Sequence, residues 1–507
     1  MNPLFLLPVS AALLLTILEA RFAKAFAGAA TDGAPLLLED VLSSSAAHFP
    51  TILQAFANRR AAQGDVVAAD GAFDLVFSAD GFDRVSGAWT GRIVNSEVRQ
   101  NLRPLGASVY GGYRISDGRF PIYEDGNFTN TGGEFKVGAL FSLLRDRAID
   151  DRRFSTMDAR LALQQADLDV VFTHVGVQHQ AIIAYWRWVT AGRKLAVYEE
   201  LLRIAKEREA GLEEQVRRGA RAQIFLTENR QNITRRERLA TEARRDFMTA
   251  ANALSFFYRD VGGAPVIPAE DRLPPENASE PIGALDIGDA PPLSAALALR
   301  PELAQLRVAA ERAQARVNLS RNELMPRFDL RAEVSHDLGD IAEGGPTRDA
   351  TDTVVGFRFS VPLQRREARG RLQRARAEAE ALNQRRREAQ EQMEIELRNI
   401  LIDLNVSLRL VSIADQEVDQ SAAMERAERQ RFASGASDFF LVNVREETAA
   451  DARIQYLAAE LRTRISRANY DAATVDLDRL GVADLSARMN AGYAARPRAG
   501  GGAAGGL

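Results

Sequence analysis

Four histidines, His48, His174, His179 and His336, carry every imidazole that could ligate a metal or move a proton, and no cysteine accompanies them. His174 and His179 stand five apart, on different faces of any helix that holds them. None of the four has metal-ligand spacing. Without cysteine there is no disulfide, no thiolate metal site and no lipidated N-terminal Cys. The carboxylate pairs Glu199-Glu200 and Glu446-Glu447 fall in dense helical sequence and read as solvated faces. No glycine loop that could cradle a phosphate is present. A net charge of −4 gives no basic excess for nucleic acid. Lysine is scarce beside arginine, which reads as genomic codon bias. The expectation is therefore no catalytic residue, no metal, no cofactor and no nucleic-acid partner. Shape is what this sequence encodes.

The stretch from Gln364 to Leu480 shows that shape most plainly. From Gln364 to Ala433 there is no proline, one glycine and a dense run of Ala, Arg, Glu, Gln and Leu, which favours helix. Met393, Leu397, Ile400, Leu404, Leu408, Val411, Val418 and Ala422 recur at steps of three and four, a coiled-coil seam. The run breaks at a glycine-centred turn, Ser434-Gly435-Ala436, with Asp438 placed to cap a returning helix from about Phe439 to Leu480. At ~1.5 Å per residue the outgoing helix is roughly 100 Å long. A long helical hairpin results.

The pattern occurs twice. Val137-Gly138 with Phe141-Ser142 reappears as Val355-Gly356 with Phe359-Ser360, an offset of 218. Arg218-Gly219-Ala220 before Ile224-Phe225-Leu226 is echoed by Ser434-Gly435-Ala436 before Phe440-Leu441-Val442, an offset of 216. Phe73-Asp74-Leu75 matches Phe328-Asp329-Leu330 at 255, and Pro50 precedes one as Pro301 precedes the other. The unit reads as helix, strand, strand, long helix, turn, return helix, duplicated in one chain. The larger offset leaves about 37 extra residues between the first unit's strands, where Gly111-Gly112, Asp117-Gly118, Asp125-Gly126 and Gly132-Gly133 signal an extra hairpin or long loop.

Residues 1–29 read as a secretory signal peptide, with an apolar run from Pro3 to Leu18 and small-residue sites near Ala27 and Ala29. No other stretch has the ~18 apolar residues of a membrane helix. Residues 30–260 form the first unit, opening with a helix over Leu36–Ala69. Its strands alternate: Phe73, Leu75 and Phe77 against Asp74 and Ser78; Ala107, Val109, Tyr113 and Ile115 against Ser108, Arg114 and Ser116; Phe135, Val137, Ala139, Phe141 and Leu143 against Glu134, Lys136 and Ser142. Its long helix is expected from Leu144 to Arg218, with the cluster Tyr185-Trp186-Arg187-Trp188 packing a helix surface, and its return helix ends at Tyr258. Residues 261–292 are a Pro-rich linker. Residues 293–480 form the second unit, with a helix over Leu293–Leu324 and strands alternating about Phe328–Val334 and Val355–Val361. Each return helix and pre-strand helix together match one outgoing helix, so two short helices should lie end to end beside each long one. Residues 481–507 read as a disordered Gly/Ala-rich tail. Strands with one apolar and one charged face suit a transmembrane β-barrel and also a soluble sheet with one wet side.

Taken together, the secretory start, the two units, Arg300-Pro301-Glu302-Leu303, the strand after Pro326, the Val354–Pro362 strand and the glycine turns before hydrophobic triplets resemble the TolC-like outer membrane efflux protein family. The resemblance covers residues 36–480. It implies a mostly α fold with a small transmembrane β-barrel, assembled as a homotrimer: twelve strands, four per protomer, in outer membrane lipid, and twelve helical rods forming a periplasmic tunnel. It implies passive export in a tripartite efflux or type I secretion system, with a periplasmic adaptor as partner and an inner-membrane pump reached through it. Arg218, Gly219, Ala220, Ser434, Gly435 and Ala436 would form the periplasmic tip where the adaptor docks, and Phe225, Glu228, Phe432, Asp438 and Leu441 would stand at its constriction. The family usually has Leu after the first glycine, where this chain has Ala220. It often has an aspartate six residues beyond each glycine, where this chain has Phe225 and Leu441. A tip narrowed by apolar side chains rather than by a charge network follows. The rival architecture is a periplasmic coiled-coil adaptor or scaffold, which would show one hairpin rather than two.

Overall fold

The computed structural model describes residues 34–275, 293–342, 348–482 and 485. The expected signal peptide, residues 276–292 of the expected linker and nearly all of the expected tail lie outside them. Proline sets the first break. The single helix expected over Leu36–Ala69 is two, α1 (Leu38–His48) and α2 (Pro50–Asp70), because Pro50 has no N–H to continue the ladder and opens α2 as its first residue. Pro301 does the same, dividing the expected Leu293–Leu324 helix into α5 (Leu293–Leu299) and α6 (Pro301–Asn322).

The two outgoing helices are α3 (Asp151–Arg217) and α7 (Arg366–Ala433), of 67 and 68 residues. Helix α3 begins later than Leu144 because Asp146 takes a left-handed conformation, φ +68°, and the Asn322 side chain accepts its N–H at 3.0 Å. Asp150 then caps the helix by accepting the Arg153 N–H at 2.8 Å. The returning helices are α4 (Gln223–Ser255) and α8 (Phe439–Thr474). The second ends earlier than Leu480, at Val475 with φ +56°.

These helices form four rods side by side. Helix α2 lies beside the first half of α3, with the Arg59 side chain bonded to Asp167, and α4 lies beside the second half, where Asn229 donates to the Ala205 carbonyl at 3.2 Å. Helices α6 and α8 fill the opposite side of α3 in the same end-to-end manner, through Arg312–Asp158 at 2.8 Å and Arg193–Glu460 at 3.2 Å. Helix α7 packs on the far side of α6 and α8, burying Leu372 against Val317 and Leu397 and Leu404 against Tyr470 and Ala473.

The largest core lies where α1, α3, α4 and α8 meet, around Trp188, Tyr185, Leu195, Phe247 and Leu254. Tyr185 and Trp188 pack there as expected, and the Arg464 guanidinium sits 4.2 Å from the Trp186 ring. Two boundaries need correction. Val482 and Leu485 are buried in this core, so the packed chain runs past residue 480. The described part of the linker is also held: Leu36 N–H donates to the Arg272 carbonyl at 2.8 Å, and Leu273 packs against the core.

At one end of the rods the strands form a single antiparallel sheet in the order β1-β2-β3-β4-β5-β6: Leu75–Asp83, Arg92–Asn101, Ser108–Asp117, Glu134–Ser142, Arg327–Asp337 and Asp352–Ser360. Six strands replace the four that the resemblance implied. The extra residues of the first unit fold as added strand, and β2 has no counterpart among the sequence-based expectations. Phe73 falls in a 3₁₀ turn, Gly71–Phe73, ahead of β1, with the Arg103 guanidinium 4.5 Å over its ring.

Candidate functional site

Both glycine turns sit at the end of the rods away from the sheet, closing the helical hairpins in one shared geometry. Gly219 has φ +72° and Gly435 φ +75°, a region that L side chains enter at a cost. Gly219 N–H donates to the Val216 carbonyl and Ala220 N–H to Gln215, both at 2.9 Å. Gly435 donates to Phe432 at 3.0 Å and Ala436 to Arg431 at 2.8 Å. This is the Schellman pattern, which satisfies the last carbonyls of each long helix. Arg218 and Ser434 are the caps, and Asp438 accepts the Leu441 N–H at 2.8 Å to start α8.

The residues assigned to a constriction divide by position. Arg221 lies 5.3 Å over the Phe225 ring and 5.1 Å over Phe432, and Phe432 meets Phe439 at 6.4 Å. These rings therefore join the two turns within one chain. Glu228 and Leu441 are half-buried. The apolar side chains left free are their neighbours, Ile224 at 65% exposure and Phe440 at 63%, which occupy equivalent positions after the two turns.

Below the turns lies a charge cluster that the sequence reading missed. Glu446, expected on a solvated face, has a fully buried side chain. It pairs with Arg208 of α3, with Arg236 of α4 at 3.1 Å and with Arg429 of α7 at 3.3 Å. Arg236 also donates to the Leu201 carbonyl at 2.9 Å, and Arg208 to Asn443 Oδ1 at 2.9 Å. Four helices are joined through one carboxylate. Burial holds the Arg236 guanidinium below its usual range and lifts the nearby Glu425 carboxyl above its own. The available signal was positional: Arg236 sits among Leu226, Asn229, Ala240, Ala243 and Phe247, the buried seam of α4.

The sheet has two unlike faces. Its register aligns Phe77 with Val98, Gly111 with Val137, Val137 with Val334 and Ala332 with Val355. Alternation then puts Leu75, Phe77, Val94, Val109, Ile115, Phe135, Val137, Val334, Val355, Phe357 and Phe359 on one side, and all of them are exposed. The opposite face carries Glu97, Arg99, Arg114, Glu134, Lys136, Asp329, Arg331 and Glu333, interrupted by Val76, Phe82, Leu140 and Val354. There Arg331 Nε donates to Tyr110 Oη at 2.9 Å, Lys136 lies 3.6 Å from Glu97, and Arg327 meets Asp329 at 2.9 Å. The strands run nine to eleven residues, the span of a tilted membrane strand. Among the described residues no helix is long and apolar enough to cross a membrane.

Comparison with known proteins bears on this geometry. The outer membrane efflux protein family model matches residues 293–474. No curated protein matches the chain by sequence. Among solved structures, a membrane protein from Pseudomonas aeruginosa superposes with a TM-score of 0.62 at 14% identity, covering 86% of this chain and 92% of that one. The CmeC outer membrane channel of Campylobacter jejuni gives 0.61 at 14% identity, covering 90% and 88%. The MtrE outer membrane channel of Neisseria gonorrhoeae gives 0.60 at 15%, covering 86% and 88%. Residues 293–474 therefore match the outer membrane efflux protein family model, and the chain carries the fold of these outer membrane channels.

Proposed function

We propose that three copies of this chain form an exit duct in the outer membrane, through which a tripartite efflux or type I secretion system exports its cargo passively. The observation that carries this reading is the sheet: six membrane-length strands with one apolar side, at one end of rods roughly 100 Å long. An apolar side of that size, exposed on a single chain, suits lipid better than water. The polar side would line the pore. At the far end, Arg218, Gly219, Ala220, Ser434, Gly435 and Ala436 would receive the hairpins of a periplasmic adaptor, which in turn contacts an inner-membrane pump. Narrowing of the tip would fall to Phe225, Phe432 and Leu441, with Ile224 and Phe440 as the free apolar side chains beside them. Glu228 and Asp438 are the nearest acids.

Helix α7 supports assembly. Besides its buried seam it carries a second apolar row, Ile395, Ile402, Val406, Ile413 and Met424, at steps of seven, four, seven and eleven, and every one is exposed. Two seams on one helix mean a packing partner on each side. Electron microscopy of the detergent-solubilised mature protein, with its particle mass, tests the reading. A three-fold hollow cylinder well over 100 Å long is expected. A monomer or a solid rod would overturn it.

A further inference from the structure

Resting on that trimeric reading, we propose that the β-barrel closes with eighteen strands, six from each copy, through an antiparallel contact between β6 of one copy and β1 of the next. Strands β1 and β6 are the outermost of the sheet and each pairs on one side only. An open edge invites another strand, and a barrel removes edges altogether. The occupant is a second copy of this chain, for four reasons.

The edges match in length, at nine residues each. An even strand count makes β1 and β6 run oppositely, so a neighbour's β1 beside β6 continues the up-and-down order without a break. The faces match as well: Leu75 and Phe77 on β1 and Phe357 and Phe359 on β6 share the apolar side, and Ser78, Gly356 and Arg358 share the polar one. Register can shift only in steps of two without reversing that arrangement. Lastly, both layers leave the same two flanks open. Strand β6 leads into α7, whose exposed row faces away from α6 and α8, and β1 follows α2 on the opposite flank.

The inserted strands belong to this barrel. Val94 on β2 and Val109 and Ile115 on β3 lie on the same exposed apolar side as the rest. Perimeter agrees. Twelve rods about 8–10 Å apart enclose on the order of 100–120 Å. Eighteen strands about 4.8 Å apart, tilted by about 40°, enclose roughly 110 Å. Twelve strands at the same tilt would enclose only roughly 75 Å. The wider barrel leaves an aqueous channel of porin size, so the narrowest point falls at the helical tip.

The native chain has no cysteine, so engineered pairs report cleanly. Ser78→Cys would be combined in turn with Val354→Cys, Gly356→Cys and Arg358→Cys, oxidised in outer-membrane preparations and run on non-reducing gels. One of the three pairs should give linked dimers and trimers, and electron cryo-microscopy of the wild-type trimer should count eighteen strands. A trimer with a twelve-stranded barrel, or with no link from any pair, overturns this closure and leaves the duct standing. A particle that is not trimeric overturns both.

Discussion

Glu446 and Arg236 occupy seam positions that apolar side chains would ordinarily take, and each is the other's buried partner at 3.1 Å. Glu446→Ala would strip the buried Arg236 of its direct ion-pair partner, and loss of one partner from such a site typically removes about 3–5 kcal/mol. Thermal melting followed by circular dichroism checks this; a loss within about 1 kcal/mol, ordinary for a surface pair, would contradict it. Asp471 is a second residue with a defined pH signature. Burial lifts its carboxyl above the usual carboxylate range, and Arg467 at 2.9 Å offsets that only in part. The folded chain therefore binds this proton more tightly than the unfolded chain does. The resulting stability is present below the ordinary value of 3.8 and is lost as pH rises through the raised value. Asp471→Asn should flatten that portion of the stability–pH curve, measured by melts from acid to neutral pH. An unchanged slope would show that the carboxyl binds its proton no more tightly in the folded chain than in the unfolded one.

In the proposed trimer, helix α7 would set the contact between copies. Leu397 and Leu404 bind it to its own chain, whereas Ile402 and Ile413 point outward from a helix already packed on α6 and α8. Ile402→Glu with Ile413→Glu should therefore separate the protomers while leaving helix content unchanged, read by mass photometry and circular dichroism. Loss of helix together with assembly would place the row inside the chain's own core. The turns present the complementary case. Gly219 and Gly435 have open space around them, so their left-handed conformation alone requires glycine. Ala220 and Ala436 are free to vary without disturbing either hairpin.

That freedom matters at the scale of the whole molecule. Ala220→Arg or Ala436→Arg should block export by obstructing the adaptor while the trimer stays intact; export at the wild-type rate in an accumulation assay would remove these residues from the docking surface. What the sequence by itself determined here is whatever depends on neighbours along the chain. Period 3.5 announced the long helices, period 2 most of the strands, and glycine, proline and Asp438 placed the turns, breaks and cap. The end-to-end pairing of short helices with long ones followed from their lengths. Strand β2 escaped because Ser96 and Gln100 interrupt Val94 and Val98 on its apolar side, so its alternation is weak until the register with β1 and β3 aligns it. Tertiary structure alone decided that the sheet has six strands, that Glu446 is buried, that Arg221 lies over both Phe225 and Phe432, and that Val482 and Leu485 enter the core. Burial and pairing depend on which distant segments arrive at the same place, and a local pattern does not contain that information.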